Sequence, residues 1–192
     1  LGDVYKRQVY KNIKNAILFL LSGNMAGILA VLYTSLAALP VPFQPVHLLF
    51  INLLTDSLPA LAIGMEPAER DVLSEKPRNP KGGILERRFM ALLLGQGALI
   101  AVCTMISFEV GLKESAALAS TMAFATLTLA RLFHGFNCRS RHSIVKIGFR
   151  RNWYSLGAFA LGVLLLALVL FVPALETLFA VSYTHLRAHE TD

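Results

Sequence analysis

Five stretches of the chain are almost wholly apolar, and the polar residues collect between them. The stretches cover about residues 15–39, 46–65, 89–110, 116–136 and 153–172. A helix needs about 20 apolar residues to cross the hydrocarbon layer of a bilayer, so each stretch predicts a transmembrane helix. The fold class that follows is all-α, a polytopic transmembrane bundle of about five helices. The last stretch is the most apolar and contains the run LGVLLLALVLFV. The first is interrupted by Ser22, Gly23 and Asn24, and the second by Asn52, Thr55, Asp56 and Pro59. No internal repeat is visible.

Composition agrees with the pattern. The 192 residues are 55% hydrophobic and 16% charged, with a mean hydropathy of +0.58, too apolar for an ordinary soluble domain. The formal net charge of +6 does not point to nucleic acid, because the Lys and Arg residues lie in short runs between apolar stretches rather than along a soluble face. Cys103 and Cys138 are far apart, with no CxxC spacing, and read as packing thiols rather than a disulfide or zinc pair. The ends differ in texture from the rest. Residues 1–8 (LGDVYKRQ) and 182–192 (SYTHLRAHETD) read as non-native, adapter-like sequence, which leaves residues 9–181 as the native part, truncated at both sides.

Charge between the helices sets the orientation. Residues 66–88 hold six Lys or Arg and residues 137–152 hold five, whereas PVPFQP at 40–45 holds none and 111–115 only Lys113. Cytoplasmic loops carry the excess of basic residues. The two long loops are therefore expected to be cytoplasmic and the two short ones external, with the amino end (Lys11, Lys14) also inside. Trp153 and Tyr154 fall at the interface, where aromatic anchors collect.

The candidate chemistry lies on the second helix. Asn52, Thr55 and Asp56 stand at i, i+3 and i+4, a spacing that puts them on one helix face. A carboxylate at mid-membrane costs about 2.5–3.5 kcal/mol on insertion scales, which a bound cation or a buried partner must offset. Pro59 has no N–H and clashes with the carbonyl four residues back, so the helix is expected to kink or unwind around residues 55–58 and free backbone carbonyls. Carboxylate, amide, hydroxyl and carbonyl oxygens are hard ligands that suit Ca²⁺ or Mg²⁺. The alternative is that Asp56 is a hydrogen-bonded structural residue. Asn24 likewise reads either as interhelical glue or as part of the same site, since the short PVPFQP turn makes the first two helices antiparallel neighbours. Glu66, Glu69 and Asp71 read as solvated loop charges that could also form a weak cytosolic access path for an ion.

The segment PVPFQPVHLLF followed by INLLTDSLPALAIGMEP resembles the sixth membrane helix of type II P-type ATPases, with their hallmark NxxTDxxPAxxxGxEP. SGNMAGILAVLY resembles their fifth helix, KPRNPKGGILERR their following cytoplasmic loop, and FATLTLARLFHGFNCRS their eighth helix. The resemblance covers most of residues 9–181, which makes that stretch look like the carboxy-terminal transmembrane domain of a cation ATPase. It implies that Asn24, Asn52, Thr55 and Asp56 are metal ligands. The implied ion is Ca²⁺, exported from the cytosol in exchange for protons. ATP and Mg²⁺ would act only through preceding cytoplasmic domains of the same pump.

The resemblance has gaps. No DKTGT phosphorylation motif and no PEGLP-type fourth helix lies within the 192 residues, so no catalytic residue is assigned and this chain alone is expected not to hydrolyse ATP. Gly27 stands where two-site pumps have Glu. Arg131 stands near a further ligand position, where it cannot bind a cation and reads as a partner for a carboxylate or helix end. His134 reads as a packed or hydrogen-bonded residue. The implied partners are the lipid bilayer and the rest of the pump, without nucleic acid, in a multi-pass arrangement in the plasma membrane of a bacterium. The other readings are a pump segment for Mn²⁺, Na⁺/K⁺ or H⁺, a secondary transporter, and a structural membrane subunit. A transporter would be expected to show a second broken helix in an inverted repeat, which the sequence lacks.

Overall fold

A computed structural model describes residues 2–67, 86–140 and 152–181. Helix α1 (Gly2–Leu36) leads to α2 (Pro45–Phe50), a π-helical turn (Ile51–Thr55) and α3 (Ser57–Gly64). Next come α4 (Arg87–Leu112), α5 (Ala116–Cys138), α6 (Trp153–Phe171) and the short α7 (Pro173–Phe179). No strand occurs among the described residues. The bilayer interior offers no water to backbone N–H and C=O groups, so a spanning segment must satisfy them internally as a helix. Five helices are long and apolar enough to span: Tyr5–Leu36, Pro45–Gly64, Arg87–Leu112, Ala116–Cys138 and Trp153–Phe171. Leu61, Leu99, Ile106 and Phe171 point outward and are exposed, as side chains facing lipid tails would be.

The helices begin and end within a few residues of the apolar stretches except at the start of α1. That helix continues back to Gly2, through the residues set apart above as non-native, and Gln8 there is buried and donates to Asn12 Oδ1. Residues 182–192 and most of the two basic loops lie outside the described residues. At its other end α1 stops in a Schellman turn. Leu39 N–H donates to Thr34 C=O at 2.8 Å and Ala38 N–H to Ser35 C=O at 3.4 Å, with Ala38 left-handed at φ 52°. The following Pro40 and Pro42 cannot continue a helix. Pro45 then starts α2 in its first turn, where a missing N–H costs nothing.

Small residues let the backbones approach. A Cβ on Gly97 of α4 would lie 2.9 Å from the Ser22 carbonyl of α1, and one on Gly111 2.7 Å from the Ala119 Cα of α5. The apolar core is divided in two. One cluster contains Ala26, Ala30, Phe50, Ile51, Phe108, Phe124 and Leu127, and the other contains Leu18, Phe19, Ile63, Phe89, Leu93 and Cys138. On each of three elements the chain passes from one cluster to the other through polar residues: Ser22 and Asn24 on α1, Thr55 and Asp56 at the helix break, Arg131 and His134 on α5. A polar layer thus crosses the bundle between two apolar ones.

Candidate functional site

The break in the second span supplies the acid. Pro59 leaves the Thr55 carbonyl without the donor four residues on. The chain responds one turn earlier than the sequence suggests: the widened turn is Ile51–Thr55, closed by Asp56 N–H donating to Ile51 C=O at 2.9 Å, and α3 resumes at Ser57. The expected kink at residues 55–58 is therefore corrected to a π-turn over residues 51–55. The cause is that a π-turn admits one extra residue per turn and lets the disturbed bonding be absorbed upstream of the proline. The extra residue also separates the expected common face. Thr55 and Asp56 are buried while Asn52 is exposed.

Asp56 is 2% exposed. Its Oδ2 is paired with the Arg131 guanidinium, also 2% exposed. The same Arg131 Nη2 donates to Asn24 Oδ1 at 3.0 Å. Arg131 thus takes the role of carboxylate partner that its sequence position suggested, and it links α1, the helix break and α5. Gly23 makes room for it. A Cβ there would lie 2.6 Å from Arg131 Nε and 2.7 Å from its Cζ. Two polar atoms of the pair have no hydrogen-bond partner among the described residues: Asp56 Oδ1 and Arg131 Nε.

The remaining sequence-predicted ligands divide. Asn24 and Asn52 line one groove of about 620 Å³ together with Gly27, Ser35 and Arg131. Thr55 is turned inward, and its hydroxyl donates to the Ile51 carbonyl at 2.9 Å. Gly27 has open space beside it. No cluster of three or more His, Cys, Asp or Glu able to hold a metal occurs among the described residues. His134 Nε2 lies 2.7 Å from Ser22 Oγ, whose hydroxyl donates to Leu18 C=O at 2.6 Å. The ring nitrogen therefore donates to Ser22, and His134 is a hydrogen-bonded residue.

The expectation for Glu66 is also overturned. Glu66 is not a solvated loop charge. It is 4% exposed, and Arg139 grips it through Nε–Oε2 at 2.8 Å and Nη2–Oε1 at 3.1 Å. The residue lies past the end of α3, where the chain still runs between α1, α5 and the start of α6, so burial there requires a paired carboxylate. Glu69 and Asp71 lie outside the described residues. Sequence reasoning named Ser22, Gly23 and Glu66 but gave them no partners, and it passed over Arg139. The only signal was position: Ser22 and Gly23 immediately precede Asn24, and Glu66 closes the GxEP end of the motif.

The family model for the cation transporting ATPase C-terminus matches residues 40–189. The chain belongs to this family. Its relatives include the calcium-transporting ATPase of Bacillus subtilis (strain 168), 41% identical over 176 residues that make up 90% of this chain and 20% of that protein. Calcium-transporting ATPase 1 of Lactococcus lactis subsp. lactis is also 41% identical, over 91% of this chain and 20% of that protein. Calcium-transporting ATPase type 2C member 2 of Rattus norvegicus is 33% identical over 89% of this chain and 18% of that protein. The chain spans about a fifth of the length of the relatives it matches. Family membership and the five spanning helices make this a multi-pass membrane segment of the cation-transporting ATPases.

Proposed function

We propose that the chain is the ion-translocating membrane segment of an ATP-driven Ca²⁺ pump, with the cation held between α1 and the broken α2–α3 helix. The observation that carries this reading is Asp56: a carboxylate buried at a π-turn in a membrane span, one oxygen on Arg131 and the other without a partner among the described residues. Membrane carboxylates are costly and mark ion pathways. The groove beside it offers Asn24 and Asn52, and Thr55 lines the same helix break. All four supply the hard oxygens that Ca²⁺ prefers. The names of the relatives favour Ca²⁺ over Mn²⁺, Na⁺/K⁺ or H⁺.

Arg131 limits how many ions the segment can hold. A divalent ion about 5 Å from a guanidinium is repelled by roughly 6–7 kcal/mol at an effective dielectric of 20. Its place against Asp56 and Asn24 supports one Ca²⁺ per cycle, bound on the Oδ1 side of Asp56. Further carboxylates would come from the rest of the pump, which also supplies the ATP and Mg²⁺ chemistry. The excess of Lys and Arg in the sequence of the two long loops favours a cytosolic side for them, and the bacterial relatives favour a bacterial plasma membrane.

The test is Asp56→Asn in the complete pump. The variant keeps shape and loses charge, so Ca²⁺-dependent phosphorylation from ATP should vanish while membrane insertion persists. Normal Ca²⁺ activation would show that Asp56 is only structural.

A further inference from the structure

The Glu66–Arg139 pair is built differently from the Asp56–Arg131 pair. Each joins the broken second span to α5: Asp56 precedes α3 and Glu66 follows it, while Arg131 lies within α5 and Arg139 just after it. The acids stand ten positions apart and the arginines eight, which corresponds to about 12–15 Å of helix. One end is therefore at the polar mid-layer and the other at the end of the bundle that carries the basic loops.

The mid-layer pair is incompletely bonded, with Asp56 Oδ1 and Arg131 Nε unpartnered among the described residues. The end pair is saturated. Glu66 receives the Arg139 fork on both oxygens and Asn152 Nδ2 on Oε2 at 2.8 Å. The chain leaving α3 is held in the same way. Asn152 Nδ2 also donates to Ala62 C=O at 2.9 Å, and Asn12 Nδ2 donates to Gly64 C=O at 3.0 Å and Glu66 C=O at 2.9 Å. Carbonyls that a helix end usually leaves to water are satisfied here by α1 and by the residue that caps α6, since Asn152 Oδ1 accepts from Ser155 N–H at 3.2 Å. Asn15 Nδ2 in turn donates to Arg139 C=O at 3.2 Å. The Glu66 carboxylate thus ties the end of α3 to the ends of α5 and α6, and α1 joins the same corner through backbone carbonyls.

We propose that Glu66, Arg139 and Asn152 form a positioning clamp for the transport site. A cation that draws on Asp56 Oδ1 and Asn24 weakens their hold on Arg131 without displacing it, so the mid-layer link between α3 and α5 slackens when the ion binds. The Glu66–Arg139 link is out of the groove and keeps its partners. It holds α3 against α5 so that Asp56 keeps its place beside Arg131, which lines the groove, as that link slackens. This rests on the proposed ion site at Asp56. A buried ion pair adds little net stability over well-packed neutral groups, so the clamp acts on ion affinity more than on folding.

The test compares wild type, Glu66→Gln, Arg139→Gln, Arg139→Lys and the double variant Glu66→Gln/Arg139→Gln in the complete pump. Three quantities are read: the Ca²⁺ concentration for half-maximal phosphorylation from ATP, the maximal phosphoenzyme level, and phosphorylation from inorganic phosphate without Ca²⁺. Each Gln variant should raise the half-maximal Ca²⁺ about tenfold, the double variant no more than the worse single because the two residues act as one unit. Arg139→Lys, which keeps the charge and loses the fork, should fall between wild type and Arg139→Gln. The maximal phosphoenzyme level and the phosphate reaction should persist. Half-maximal Ca²⁺ within about twofold of wild type in the double variant and Arg139→Lys, which leave no carboxylate unpaired, overturns the clamp. A fall in phosphoenzyme level at unchanged Ca²⁺ dependence does so too. If wild type answers to another cation, the same comparison is made with that cation. A wild type indifferent to every cation overturns the ion-site reading itself, whereas a cation-dependent wild type with indifferent variants overturns only the clamp.

Discussion

Arg131→Met removes the guanidinium and keeps an unbranched chain that suits an apolar interior. Among the described residues Asp56 is then left without a partner on either oxygen, because Oδ2 has only Arg131 and Oδ1 has none. Both side chains are 3% exposed, so water does not readily replace the lost partner. Removing one member of such a buried pair costs about 3–5 kcal/mol, whereas replacing both by neutral groups is often close to neutral. Asp56→Asn should be costly for the converse reason, softened by the bond that Asn24 keeps with Arg131. The double variant Asp56→Asn/Arg131→Met should then cost less than the two singles together by roughly 2–3 kcal/mol. The assay is unfolding of the purified chain from detergent micelles by SDS, followed by helical circular dichroism, for the four members of the cycle. Gly23→Ala is an independent probe. Its Cβ would lie 2.6 Å from Arg131 Nε and should push the guanidinium off Asp56, at about 1–3 kcal/mol for overpacking. In the Arg131→Met background that cost should largely disappear. Singles that add to within about 0.5 kcal/mol, or a Gly23→Ala cost equal in both backgrounds, would refute the pair as the link through the polar layer.

Two further outcomes are expected. Equilibrium ⁴⁵Ca binding to the complete pump, normalised to phosphoenzyme, should give a ratio near one, because Arg131 occupies the side of Asp56 where a second ion would lie and Gly27 supplies no oxygen; a ratio near two refutes it. Impermeant labelling of single cysteines placed in residues 66–88 and in PVPFQP should occur from opposite sides of the membrane, the first from the cytosol, and labelling of both from one side refutes the topology.

The sequence by itself determined the helices. Spanning a bilayer requires an unbroken internally bonded backbone of about 20 apolar residues, and such runs are visible without any tertiary information. Pro59 announced a break for the same local reason, the absence of an N–H. Where the break fell, at Ile51–Thr55, depended on how the rest of the helix could shift its bonds, and that was a property of the packed bundle. The polar residues were legible one at a time. Asn24, Asn52, Thr55, Asp56 and Arg131 all stood out as polar groups within apolar stretches. Their partners did not, because Arg131 and Asp56 are 75 residues apart and nothing local fixes how far α5 slides along the broken helix. Only the tertiary structure decided that the guanidinium seats on Gly23, that Asn52 turns outward from Thr55 and Asp56, and that Glu66 is buried. A charge next to a basic loop reads as solvated until the neighbouring helix ends are known. Here those ends bring Arg139, Asn152 and Asn12 onto the chain leaving α3.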